Sequence, residues 1–439
     1  MKKIRIVLMI FMLVLVGYAW VSQAGGAVKA NALYQKGMEE AKVLMEARLY
    51  QKAIASLESA LSIKESPEAR RMWRDAYALA YEDGVVTKKQ CVRAMETTAN
   101  LQSDKVENWE ELIGFCLETQ DYSSANAYCE KAEKAGVSSE KLEEFWNQAH
   151  YSYSVRNRVH TQVLYSPSGY SAVTNGEKWG LVDSKGDWEM DCEYGLISPV
   201  ADSLVRLVGM EGEFRIIDDK DIVQSILNKD VVAAKAAGDG IVPVLYDESW
   251  GYYDISTSEF SLSKYEDVST FANGIAAVRE NGSWKLIDTE GGQIESAVFE
   301  DVKLYGSGEY LHNGVFTAKR AGSYGLYNQK AEQVADISCS DMDVCFDGGI
   351  AYQGQDGKWG FMDKKGKVMI EPQYEKAKSF SNGLAAVCMD GMWGFINESG
   401  EMVIECRFLD AGYFTSGGVC FVSELEGEYY MITLRFAEG

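Results

Sequence analysis

The groups in this 439-residue chain that could do chemistry are three histidines, nine cysteines and 66 acidic residues. His150, His160 and His312 have no second ligand or nucleophile at the spacing that a metal site or a catalytic triad needs. No phosphate-cradling G-x-x-x-x-G-K, nucleophile-elbow G-x-S-x-G or zinc-binding H-E-x-x-H run occurs. Two acidic runs, Asp218-Asp219-Lys220-Asp221 and Asp341-Met342-Asp343, have the residue type for calcium. Neither continues into a loop with a central Gly and a final Glu, and acidic turns are common. The chain is therefore expected to have no catalytic, cofactor-binding or metal-ligating residues and no cofactor. One further chemistry is open. A row of Trp and Tyr residues could stack on the sugar rings of a cell-wall glycan, although each sits inside an apolar strand, as core packing also demands.

That row is regular. Trp179, Phe214, Trp250, Trp284, Tyr324, Trp359, Trp393 and Tyr429 follow one another at intervals of 35, 36, 34, 40, 35, 34 and 36 residues. Similarity at a fixed period of this length marks an array in which no unit buries its apolar face alone. Within a unit, a turn such as Ser381-Asn382-Gly383 precedes the strand Leu384–Val387, whose twin is Ile275–Val278 after Asn273-Gly274. The paired alanines of both strands mark places where neighbouring units crowd. A second strand carries the Trp. A turn with Asp or Asn at its first position and Gly at its fourth then recurs at Asp183–Gly186, Asp288–Gly291, Asp363–Gly366 and Asn397–Gly400. These aspartates already have a turn-forming job.

The copy Gly357–Val387, GKWGFMDKKGKVMIEPQYEKAKSFSNGLAAV, resembles the WG-repeat (KWG-repeat) family of bacterial proteins, and the likeness extends over residues 165–439. The resemblance implies architecture more than activity. The second and fifth copies depart most, and the fourth has Lys285 in place of the Gly of Trp-Gly. Three or four strands per unit suit a closed β-propeller, which removes sheet edges, or an open β-solenoid. Half-units at Tyr165–Val173 and Glu428–Phe436 favour the propeller, because together they would complete one blade. Selective binding is expected where copies differ: after Gly186, around Gly306–Gly314 and across Ser338–Gly349.

The first 160 residues follow another period. A basic start, Met1-Lys2-Lys3-Ile4-Arg5, leads into an uncharged run from Ile6 to Val21 with small residues after it. This is the order of a signal peptide or membrane anchor over residues 1–24, which would put the body outside the cytoplasmic membrane. From residue 27 to 158 the apolar spacing is helical. Trp109, Leu112, Cys116, Tyr122, Ala125, Cys129 and Ala132, and again Ala41, Leu44, Tyr50, Ala53, Leu57 and Ala60, resemble tetratricopeptide helix pairs. Ser66-Pro67 reads as an N-cap with Pro at the first helical position, Asp104…Glu107 as a capping box, and Gly136 as a C-cap. A last helix is expected over Lys141–Val155.

The fold class is thus multidomain: an all-α tetratricopeptide-like module (27–158) followed by an all-β WG-repeat domain of eight units (160–439). A net charge of −23 disfavours nucleic acid and anionic lipid as partners. The cysteines form no C-x-x-C pair and suit small buried positions. Cys339 and Cys345 could form a local disulfide in an oxidising compartment. The expected function is a non-enzymatic, extracytoplasmic binding or scaffold protein of the cell envelope, secreted or membrane-anchored, with protein partners. Its only link to the membrane would be the N-terminal segment. A cell-wall glycan receptor is the alternative, and an enzyme the third reading.

Overall fold

A computed structural model describes residues 26, 28–201, 205–335, 337–346 and 348–436. The expected signal or anchor over 1–24 lies outside the described residues. The chain divides into two compact units at His150/Tyr151. No described helix is long and apolar enough to cross a membrane.

The first unit is built of helical hairpins: 28–46 with Tyr50–Ile63, Pro67–Glu82 with Lys88–Leu101, and Val106–Glu118 with Tyr122–Lys134. A seventh helix, Glu140–His150, ends five residues before the expected Val155. Small residues meet at the crossings, since Ala41, Ala53, Ala60, Ala76, Cys116, Ala125 and Ala132 are all buried. The Ser66 hydroxyl accepts from Ala69 N with Pro67 at the first position, and Gly136 takes a positive φ of 74°, so both caps form as expected. The capping box at Asp104 does not. The helix starts at Val106, with Lys105 at the cap and no side-chain cap bond. The box that does form is Thr87 with Gln90.

The second unit is a closed ring of eight antiparallel sheets, an eight-bladed β-propeller. Blades 1 to 7 span residues 162–194, 196–227, 233–265, 267–299, 301–339, 341–374 and 376–408. Blade 8 takes three strands from residues 410–434 and its fourth from Tyr153–His160, which pairs antiparallel with Glu428–Leu434. The ring is closed as the half-units suggested, but by a different segment. Tyr165–Val173 belongs to blade 1, and the closing strand lies upstream, where helix was expected. Its sequence, Tyr153–His160, lacks the Trp-Gly and turn residues on which the repeat was aligned.

The core lies in layers between blades. Ala276, Ala277, Ala385 and Ala386 are all at most 2% exposed, which is the crowding their size allows. At the seam of the last and first blades, Val173 and Val182 pack on Val419, Phe421 and Met431. His160, on the closing strand, is 0% exposed there, and neither ring nitrogen has a hydrogen-bond partner. Its ring lies 5.7 Å from those of both Trp188 and Phe421. Burial, with a smaller push from the Arg158 charge, lowers its pKa to about 4. All nine cysteines are free thiols, so Cys339 and Cys345 form no disulfide.

Two outcomes follow from the seam. The unfolded chain binds a proton at His160 below pH about 6.5, whereas the folded ring does so only near pH 4. The His160 contribution is therefore fully present above pH 6.5 and is lost as pH falls towards 4, at most about 3 kcal/mol. Denaturant melts between pH 7 and 4 should show this slope, and a His160→Leu chain should show a shallower one. Ring closure is checked separately. Ile432 faces Val155 in the ladder, and Ile432→Pro should raise amide exchange in blade 1 around Trp179 as well as in blade 8. An open array would confine the change to the last blades.

Candidate functional site

Each repeat residue has a structural task that can be read from its geometry. The Gly after the Trp lies under a bulge of the fourth strand. In blades 1, 3, 6 and 7, the two residues from the Trp to the second position after it face a four-residue stretch of that strand. A Cβ on Gly180, Gly360 or Gly394 would stand 2.7, 2.6 or 2.5 Å from a carbonyl oxygen of Met190, Ile370 or Ile404. Only Gly admits that approach. The turn aspartates are equally committed. Asp183 Oδ1 accepts from Lys185 N and Asp187 N at 2.9 and 2.8 Å, and Asp363 Oδ1 from Lys365 N and Lys367 N at 2.9 Å each. Asp218, in the first acidic run, does the same for Lys220 N and Ile222 N. Among the described residues no group of three or more His, Cys, Asp or Glu could hold a metal ion.

The repeat aromatics pack on the core to different depths. Trp284, Tyr324 and Trp393 are buried, whereas Trp179, Phe214, Trp250, Trp359 and Tyr429 are half-buried. The five Trp sit on the third strand opposite the last aromatic of the fourth, as Trp359 does with Tyr374, whereas Phe214 faces Leu227 and Tyr324 faces Cys339. In three blades a lysine lies over the ring and reaches the next blade. Lys235 Nζ lies 4.7 Å from the Trp250 centroid and donates to Asp267 Oδ1 at 2.5 Å and Val268 O at 2.7 Å. Burial lowers its pKa, and the Asp267 carboxylate opposes that shift. Lys303 lies 4.8 Å from the Tyr324 centroid and 2.9 Å from Asp341, and Lys378 lies 5.2 Å from the Trp393 centroid and 3.4 Å from Asp410. Asp341, from the second acidic run, is thus a blade-to-blade clasp.

The long interval between Trp284 and Tyr324 also finds its reason. Blades 1 and 5 stand opposite each other in an eight-bladed ring, so contacts between them cross its centre. Ser307 N donates to Tyr165 O at 2.8 Å, and Ser166 Oγ donates to Glu309 Oε2 at 2.8 Å. The same segment receives Ala236 from blade 3 through Ser307 O and Thr270 from blade 4 through Gly308 O. Residues 304–310 are therefore a plug that blade 5 inserts into the middle of the ring. Beside it, Tyr305, Val344, Phe346 and Tyr413 form an aromatic cluster. Asp343 lies next to this cluster, where burial raises its pKa while Ser379 N (2.7 Å) and the Tyr413 hydroxyl (2.9 Å to each oxygen) donate to it. A cavity of about 570 Å³ opens beside the plug, lined by Asp239, Phe271, Asn273, Glu309 and Tyr310 among others.

The three segments expected to carry recognition are thus largely built in. After Gly186, Asp187 faces Arg156 at 3.5 Å and Trp188–Tyr194 forms the fourth strand of blade 1. Residues 306–308 fill the centre, and Cys339 pairs with Tyr324 at the outer side of blade 5. Sequence reasoning missed the lysine clasps, although the recurrence of Lys235, Lys303 and Lys378 directly after a two-residue strand was a usable signal.

Helical hairpins followed by an eight-bladed propeller define the class of this protein. The WG containing repeat matches residues 250–284, 359–393 and 393–429, so the propeller carries WG repeats. No curated protein matches the chain. Among solved structures, Hsv2p of Kluyveromyces lactis is 11% identical, covering 55% of this chain and 93% of its own at a TM-score of 0.37. A eukaryotic initiation factor is 8% identical over 60% of this chain and 79% of its own, at a TM-score of 0.41. The Sgt2 TPR domain from Aspergillus fumigatus is 21% identical over 26% of this chain and 76% of its own, at 0.21.

The glycine geometry is open to a direct check. Gly394→Ala places a methyl against Ile404 O and Cys406 N, so it should cost about 1–3 kcal/mol. Urea unfolding of the full chain should show the lower midpoint.

Proposed function

We propose that this chain is a non-enzymatic binding and scaffold protein that works outside the cytoplasmic membrane, secreted or held there by its N-terminal segment. The observation that carries the reading is the filled centre of the ring. The middle of the propeller is occupied by the blade 5 plug and its hydrogen bonds. Asp183, Asp218 and Asp363 serve as turn acceptors, Asp267, Asp341 and Asp410 as blade clasps, and Glu309 as a plug anchor. What remains for function is surface: helix faces in one unit and blade rims and loops in the other. Rigid repeat surfaces of this kind suit protein–protein recognition. The extracytoplasmic setting is supported by the basic start and apolar run of residues 1–21.

A glycan receptor is the second reading, and the aromatics weigh against it. Stacking on sugar needs an open ring face, and among the described residues of the propeller no aromatic side chain is fully exposed. Trp250 and Trp393 have lysines over their rings.

The full chain and the two units should be tested as baits for in-cell cross-linking, with envelope and cytoplasmic fractions compared. The expected outcome is a defined protein partner in the envelope fraction, retained by at least one unit. Cross-links confined to cytoplasmic proteins would overturn the setting. Retention on purified cell-wall glycan, with no protein partner, would favour the receptor.

A further inference from the structure

Blade 2 breaks the repeat at one residue, and a cleft follows from the break. Arg215 stands where blades 1, 3, 6 and 7 have Gly, and the fourth strand bulges one residue later, between Ile216 and Ile217. Phe214, Arg215 and Ile216 pair in step with Leu227, Ile226 and Ser225. The resulting edge strand, Val223–Leu227, has no charged residue, whereas every other fourth strand carries at least one. Charges and bulges on edge strands block pairing with other chains; this edge has no charge, and its one bulge is confined to its start, opposite Ile216 and Ile217. Val223 and Ile226 are 44% and 58% exposed on it. On the side facing blade 1, beside the displaced bulge, lies a cavity of about 410 Å³ with apolar walls from Tyr194, Val208, Ile217 and Val223. Glu211, Glu213 and Asp221 also line it, against the exposed guanidinium of Arg215. The buried Arg206 beneath is already paired with Asp221 at 2.7 Å.

We infer that this edge and cleft dock an extended segment of a partner protein that alternates apolar and basic side chains. The segment would add a strand to Val223–Leu227 through backbone hydrogen bonds. Its apolar residues would lie on Ile226 and enter the cleft, and its lysines or arginines would meet Glu211, since Glu213 is held by Arg215 and Asp221 by Arg206. The net charge of −23 favours the same basic partner. The inference rests on the protein-binding reading above and names the site and the chemistry of the occupant.

The test uses the full chain and a labelled heptapeptide of alternating lysine and valine, with glutamate–valine and lysine–serine peptides as controls. Fluorescence anisotropy should show binding of the lysine–valine peptide alone, weakened at least tenfold by Ile226→Lys. That substitution is at an exposed position, and an unchanged melting temperature verifies the fold. Glu211→Lys should weaken binding as well, and hydrogen exchange should show new protection over residues 223–227. Equal binding to the Ile226→Lys chain, equal binding of the lysine–serine peptide, or protection only elsewhere would overturn the site. If Ile226→Lys leaves the cross-linked envelope partner in place, the site is wrong and the scaffold reading stands.

Discussion

The antiparallel ladder between Tyr153–His160 and Glu428–Leu434 pairs residues 269 to 281 positions apart, and every blade depends on it. A blade of three or four short strands has two apolar faces, and each must be covered by a neighbour. In a line of eight such sheets the two end faces stay wet. Closing the line removes both, and here the first strand of the unit completes the last blade. The cost of bringing such distant segments together grows only slowly with loop length. It is offset by the dry layer of Val173, Val182, Val419, Phe421 and Met431 at that seam. His160 lies within this layer with no partner for either nitrogen, so the seam is also where a proton would do most damage.

Within the ring, the shape of each blade turns on whether a Cβ is present after the Trp. Where it is absent, the fourth strand bulges and its backbone closes over the Gly. In blade 4, Lys285 pairs in step with Val298, the bulge moves on to between Lys285 and Ile287, and Val298 is left half exposed. Blade 2 shows the same response at Arg215. Blade 8 keeps its bulge with Tyr430 at that position, because its fourth strand comes from another part of the chain and shifts register between Arg156 and His160.

Much of this was legible in the sequence because it is local. The period, the Asp…Gly turns, the crowded alanines and the Ser66-Pro67 cap each depend on a few neighbouring residues. What was not legible is long-range. The closing strand alternates without a Trp, a Gly or a turn of its own, so no repeat alignment could reach it. The length of the blade 5 insertion was visible, but its destination at the ring centre depends on Tyr165 and Ser166, some 140 residues away. The half-burial of Trp179, Trp250 and Trp359 escaped for a related reason. An apolar strand is evident from sequence, but how far a neighbouring blade covers its outer end is not.

The lysine clasps connect these points. Lys235, Lys303 and Lys378 lie in blades 3, 5 and 7 and reach forward to Asp267, Asp341 and Asp410 in blades 4, 6 and 8. The equivalent positions of blades 4, 6 and 8 hold Ser269, Asp343 and Gly412, which form no lysine clasp. Ser269 accepts from Ala277 N of its own blade, and Asp343 accepts from Ser379 N of blade 7 and from the Tyr413 hydroxyl of blade 8. Charge clasps therefore tie the blades in pairs, and the plug and the apolar layers tie the pairs together. Blade 2 belongs to none of these clasps. It lacks the Asp at its start, where Leu196 stands, and it lacks the Gly that would shape its rim. A blade with fewer structural duties can vary without opening the ring, which is the physical reason to look for recognition there.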